Sequence, residues 1–242
     1  GLAFAEGLTV FVSLASVGDK LRVRLDEVKG KTAFAEIVSV LESSADRVPP
    51  PCEYFGICGG CDFQQMDYAT QLAAKVGIIR DCLHRIAKIE YEGEIPIIPS
   101  PDEFGYRLRA QWHADTAQKK IGYYRRNSRD LIDIQKCLVL APELNEELDA
   151  MRRELPWGTF FADKFQIDAA VGSNGSVSIH SDELAEPAEE IEITAFGEKF
   201  SFTAKSFFQG NRSMVDKLVE VALGDAKGET ALDLYCGVGL FT

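Results

Sequence analysis

No apolar run in this chain approaches the roughly twenty residues that a membrane-spanning helix needs, and none has the basic, apolar and small-residue order of a secretory signal. Six cysteines in 242 residues are too sparse for a disulfide scaffold, so a reducing, cytoplasmic compartment is expected. Net positive charge is lacking too: a balance of −12 argues at first against a nucleic-acid partner. What is present is 46% hydrophobic, 10% aromatic and 26% charged residues, the make-up of a globular protein long enough to bury a substantial core.

The acidity is local. Residues 101–140 carry eight Lys/Arg against five Asp/Glu, whereas residues 141–200 carry four against fourteen. Binding to a polyanion depends on the local field rather than the sum, so the acidic segment does not disqualify the basic one. The basic stretch is interleaved with aromatics, in Tyr106-Arg107-Leu108-Arg109 and in Gly122-Tyr123-Tyr124-Arg125-Arg126. That composition suits phosphate contacts and base stacking, although a solvated sheet face has the same composition.

Short alternating runs at residues 9–12, 21–28 and 33–41 predict a small β-barrel, with Arg22 and Arg24 on one strand face. Arg47-Val48-Pro49-Pro50-Pro51 reads as a linker, since three prolines sustain neither a helix nor a central strand. Asp67 is placed to cap a helix with Tyr68, Leu72, Val76, Ile79, Leu83 and Ile86 on one side, ending near Lys88, and Cys82 is expected as a buried thiol on its apolar face. Residues 91–205 read mostly as strands, with turns at Pro99, Gly105, Gly122 and residues 172–175. Pro142 opens one helix, with Leu144, Leu148, Met151 and Leu155 inward. Asn211 is placed to cap another that runs to about Leu223, and residues 231–235 predict an apolar strand entering the turn Gly237-Val238-Gly239.

The densest signal is Cys52-x5-Cys58-Gly59-Gly60-Cys61, with a further cysteine at Cys137. Two glycines between Cys58 and Cys61 let the backbone turn sharply enough for both sulfurs to face one centre. Spacing alone leaves zinc and iron–sulfur open, with ordinary buried thiols or a disulfide as the plainer readings.

The stretch CEYFGICGGCDFQQMDYATQLAAK, residues 52–75, resembles the cluster motif of the iron–sulfur RNA uracil-5-methyltransferases, and similarity continues across nearly the whole chain. The resemblance implies a 4Fe–4S cluster on Cys52, Cys58, Cys61 and Cys137. GLAFAEGLTVFVSLASVGDKLRVRL is similar to the TRAM domain, an OB-like RNA-binding barrel. Residues 206–211 are similar to the family's Phe-x-Gln-x-Asn signature, which implies that Gln209 contacts S-adenosylmethionine and that Phe207 lies beside the target base. DLYCGVGLF resembles the family's first S-adenosylmethionine motif, implying cofactor contacts at Tyr235, Gly237, Gly239 and Leu240. The family has an amide or hydroxyl side chain at the last of these, so leucine leaves only its backbone for the role. Cys236 does not match the family's nucleophile and is expected to pack beside the turn.

The implied architecture is multidomain α+β. An OB-like TRAM β-barrel covers residues 1–47, a central, mainly β iron–sulfur domain covers 48–63 and 101–204, and the start of a truncated Rossmann-like α/β methyltransferase domain covers 64–100 and 205–242. The implied reaction adds a cysteine thiolate to C6 of uracil, methylates C5 and removes the C5 proton with a base. No catalytic residue of that kind is matched within the chain; both are expected after Thr242, so the chain is not expected to methylate RNA alone. The implied partner is RNA, ribosomal 23S ahead of transfer RNA, with no membrane or protein partner. Arg22, Arg24, Arg107, Arg109, Arg125, Arg126 and Phe207 are the candidate RNA contacts. Two other classes remain: a noncatalytic RNA-binding iron–sulfur protein, and a TRAM-bearing radical methylthiotransferase, whose Cys-x3-Cys-x2-Cys pattern the chain lacks.

Overall fold

Alternation of Val10 and Val12 with exposed neighbours, matched by Ala33 and Ala35, gives the amino-terminal strands one inward face, as a period-two pattern must. The computed structural model describes residues 1–242 and divides them into two units, Gly1–Pro99 and Ser100–Thr242.

In the first unit, β1 (Leu2–Ala5), β2 (Leu8–Val12), β3 (Lys20–Lys29) and β4 (Thr32–Glu42) form a four-stranded sheet in the order β1-β2-β4-β3. The β2–β4 pair is parallel and the others antiparallel. The expected strands are present together with β1, which alternation alone does not predict, and the ladders form an open sheet order rather than a closed barrel. Small alanines at the centre let Leu8, Leu21, Val23 and Ile37 close over the core.

Asp19 ties this sheet to the proline-rich segment after it. Its carboxylate accepts from the backbone N–H groups of Ser16 at 2.7 Å and Ser44 at 3.0 Å, and from Arg47 Nη2 at 2.7 Å. Arg47 also donates to the Leu14 carbonyl at 2.9 Å and, by its backbone, bridges to Met66. Burial alone pushes the Asp19 carboxyl up, but the Arg47 hydrogen bond and charge and the two amides outweigh it and hold the pKa down to about 2.

Past the prolines, α1 (Tyr68–Cys82) begins where Asp67 accepts from the Thr70 N–H at 2.7 Å, as the sequence requires of an N-cap. Its last turn widens into a π-helical turn, Leu83–Ala87, closed by Lys88 in the left-handed region at φ 58°. None of the helix residues is buried, and Cys82 is exposed. That corrects the expectation of a buried thiol: an amphipathic stripe buries its residues only when another element covers it.

In the second unit, β5 (Arg109–Asp115), β6 (Lys120–Tyr124), β7 (Leu131–Asp133), β8 (Lys164–Val171) and β9 (Val177–His180) form an antiparallel sheet in the order β7-β6-β5-β8-β9. α2 (Pro142–Glu154) lies against β6, β8 and β9 and buries Leu144, Leu148 and Met151. Trp112, Ile121 and Ile167 are fully buried in the same core. Gly122 is not the expected turn. It sits inside β6, where an added Cβ would lie 2.2 Å from the Ile132 carbonyl oxygen, so glycine is needed for close approach of β7. The turn at residues 172–175 forms as expected, with Gly175 at φ 84°.

A hairpin of β10 (Ile191–Ala195) and β11 (Glu198–Phe202) leads to a 3-10 turn at Arg212–Met214 and to α3 (Val215–Leu223). Asn211 caps that turn, accepting from the Ser213 N–H at 3.1 Å. Residues 224–242 contain turns but no strand, which corrects the expected strand at 231–235. A strand buried on both faces is held by ladders to its neighbours, and here Leu232 and Leu234 pair with no strand and are exposed. No helix is long and apolar enough to cross a membrane.

Candidate functional site

The cysteine loop is a succession of tight turns. The Phe55 N–H donates to the Cys52 carbonyl at 3.0 Å, and the Cys58 N–H to the Tyr54 carbonyl at 2.8 Å. Gly60 donates its N–H to the Cys58 sulfur at 3.4 Å, the kind of amide contact that stabilises a thiolate. Cys52, Cys58 and Cys61 are half-buried. Cys137 belongs to the second unit, where Asn145 of α2 holds its backbone at both ends, accepting from its N–H at 2.8 Å and donating to its carbonyl at 3.0 Å. Within neither unit taken by itself are three or more Cys, His, Asp or Glu side chains gathered as a metal-ion site.

One face of the second unit's sheet is polar. Along β5, Ala110, Trp112 and Ala114 turn into the core, so Arg109, Gln111 and His113 face the other way. Gln111 lies opposite Asp168 and His113 opposite Gln166 on β8. The Asp168 carboxylate accepts from Gln111 at 3.1 Å and from Gln166 at 2.9 Å. His113 stacks on Tyr124 with ring centroids 3.9 Å apart and planes at 20°. Burial lowers the His113 pKa against the opposing field of Asp168. Tyr124 lies in the basic, aromatic stretch that the sequence marks; Gln111 and His113 are not among the candidates that the motifs single out, yet the strict alternation in Arg109-Ala110-Gln111-Trp112-His113-Ala114 carries the signal.

Beside this face runs the segment 203–211. Phe208 is 2% exposed and stacks on Phe202 with centroids 4.8 Å apart, which turns its neighbour Phe207 outward to 70% exposure. Gln209 is half-buried. Arg109 reaches across and donates to the carbonyls of Ala204, at 2.8 Å, and Ser206. The other end is held by backbone: Leu108 N–H to the Gly210 carbonyl at 2.8 Å, and Arg212 N–H to the Tyr106 carbonyl at 3.1 Å.

The remaining candidates are dispersed. Arg22 and Arg24 are exposed on the same face of β3, and Arg24 pairs with Glu36 at 2.8 Å and Asp26 at 3.1 Å. Arg107 is exposed where the chain enters β5; Arg125 is exposed, and Arg126 half-buried, in the turn after β6. Tyr235 is fully exposed at φ 69°, Gly237 and Gly239 take φ 58° and 83°, and Leu240 is 8% exposed. Cys236 is exposed rather than packed beside the turn.

No family model matches the chain. Among curated proteins it is 33% identical to a 23S rRNA (uracil(1939)-C(5))-methyltransferase of Aromatoleum aromaticum over 81% of this chain and 46% of that protein. It is 29% identical to the same-named enzyme of Methylococcus capsulatus over 100% of the chain and 64% of that protein. An uncharacterized RNA methyltransferase of Thermosynechococcus vestitus is 28% identical over 99% of the chain and 66% of its own length. The fold is also that of a Pyrococcus abyssi tRNA (uracil-54, C5)-methyltransferase solved with S-adenosyl-L-homocysteine, with a TM-score of 0.73 at 22% identity, covering 100% of this chain and 66% of that one. In sequence the chain is thus similar, along its whole length, to RNA uracil-C5-methyltransferases. It spans from 46% to 66% of the length of these curated relatives.

Proposed function

We propose that this chain is part of an S-adenosylmethionine-dependent enzyme that methylates C5 of uridine in RNA, with 23S rRNA as the substrate and tRNA as the second choice. The observation that carries the reading is the presentation of Phe207 and Gln209 from a segment pinned at both ends, with Phe208 buried between them. An exposed aromatic offers a face to an unstacked base. The Gln209 amide both donates and accepts, which suits holding a polar ligand in one orientation. S-adenosylmethionine supplies the methyl group when bound; Gln209, Tyr235 and the backbone of Gly237, Gly239 and Leu240 are the groups assigned to hold it. The polar face with His113, Tyr124 and Gln111, together with Arg22, Arg107, Arg125 and Arg126, is assigned to the RNA.

A 4Fe–4S cluster on Cys52, Cys58, Cys61 and Cys137 belongs to the same proposal, as does a cytoplasmic setting. What supports it is the chemistry of the donors: four thiolates suffice for such a cluster, and the Gly60 amide donates to the Cys58 sulfur. Its assigned role is to order the chain around these loops. The proposal also takes residues 1–47 as a TRAM domain, 48–63 and 101–204 as the iron–sulfur domain, and 64–100 and 205–242 as part of the methyltransferase domain. The burial of Leu240, where the family has a polar side chain, favours a second reading as a noncatalytic RNA-binding iron–sulfur protein. Incubating the full-length protein with methyl-labelled S-adenosylmethionine and 23S rRNA separates the two: labelled 5-methyluridine supports the first, and RNA binding without label supports the second.

A further inference from the structure

We propose that Arg109 is a positioning residue for this site: through the carbonyls of Ala204 and Ser206 it sets the direction in which Phe207 and Gln209 project. The inference rests on the proposed roles of those two residues toward base and cofactor. Arg109 lies in the most basic part of the sequence, and an arginine on an open sheet face is ordinarily free to meet a phosphate. Its guanidinium is instead half-buried and turned to two carbonyls of one turn, 95 and 97 residues along the chain. A planar fork with fixed N–H directions fits two carbonyls of a single turn, whereas an ammonium satisfies them one at a time.

The turn has few other ties on that side. Ala204 donates its N–H to the buried Ser178 hydroxyl at 2.9 Å, and Ser206 donates to the Thr203 carbonyl at 2.9 Å. Downstream, the first fixed point is the Leu108 N–H on the Gly210 carbonyl. Between these anchors lie only Phe207, Phe208 and Gln209, and only Phe208 is buried. Removing the guanidinium leaves two carbonyls without their charged donor and frees the upstream end of the presenting segment, while β5 keeps its ladder to β8. Preorganisation is lost and the fold is kept, so the effect falls on ligand affinity.

The test uses the full-length protein with S-adenosylhomocysteine as the probe. Arg109→Ala is expected to speed amide exchange at Ala204 and Ser206 while exchange in β5 and β8 is unchanged. It is also expected to weaken S-adenosylhomocysteine at least about tenfold by calorimetry. Arg109→Lys restores part of both, and it carries the comparison should the alanine variant not fold. Unchanged exchange at Ala204 and Ser206, or parent affinity in Arg109→Ala, overturns the positioning role. Parent affinity in Gln209→Ala overturns the cofactor reading itself, and is told apart from failure of the clamp because exchange still rises in Arg109→Ala.

Discussion

Arg47 meets Asp19 at 2.7 Å inside the first unit, with the carboxylate side chain 1% exposed and the guanidinium 16% exposed. This pair joins the loop before β3 and the loop after β4 to the segment that enters the cysteine loop. Asp19→Ala leaves a buried guanidinium and the Ser16 and Ser44 amides without their acceptor, and is expected to destabilise the unit by about 3 kcal/mol, read as a lower denaturation midpoint.

The same carboxylate sets an acid limit. Its folded pKa of about 2 lies below the ordinary value of 3.8, so its contribution is fully present above pH 3.8 and is lost as pH falls through about 2. The shift corresponds to about 2 kcal/mol. Urea titrations of the parent between pH 5 and pH 2 are expected to show this loss, and Asp19→Asn to remove that part of the slope.

Two glycines give opposite outcomes on alanine substitution. Gly122→Ala drives a Cβ into the Ile132 carbonyl and is expected to cost at least about 2 kcal/mol, with separation of β6 from β7. Gly77 in α1 has nothing within 4 Å of an added Cβ, so Gly77→Ala is expected to stabilise by about 0.5–1 kcal/mol. Thermal melts of the two variants check both signs.

Neighbouring phenylalanines separate stability from binding. Phe208→Ala empties a buried, stacked position and is expected to cost about 3–5 kcal/mol. Phe207→Ala is expected to leave stability within about 0.5 kcal/mol while weakening binding of a uridine-containing RNA. Equal effects of the two on the melting temperature would contradict the presentation of Phe207 to a base.

Iron is the readout for the cysteine loop. Anaerobically purified full-length protein is expected to be brown and to hold about four iron atoms per chain. Cys58→Ser is expected to lower both iron content and thermal stability. Colourless protein containing zinc would refute the cluster assignment.

Local rules carry much of the fold. Asp67, Pro142 and Asn211 mark helix starts that form where the sequence puts them, because a cap is a contact between near neighbours. Alternation likewise marks β2, β3 and β4, and helical spacing marks the inward face of α2. What the sequence hides depends on distant partners. Gly122 looks like a turn until β7 is laid against it, and residues 231–235 look like a strand although no neighbour pairs with them. The widening of α1 into a π-helical turn has no composition signal that we can identify. The cysteines and the Phe207–Asn211 signature are visible as motifs, whereas the Arg109 clamp and the His113–Tyr124 stack join residues that only the sheet brings together.

Mass spectrometry of 23S rRNA after incubation with the full-length protein and S-adenosylmethionine tests the central claim most directly. The expected result is 5-methyluridine at a defined position, lost when Gln209 is replaced by alanine. RNA recovered unmodified by a folded protein that binds it would contradict the claim.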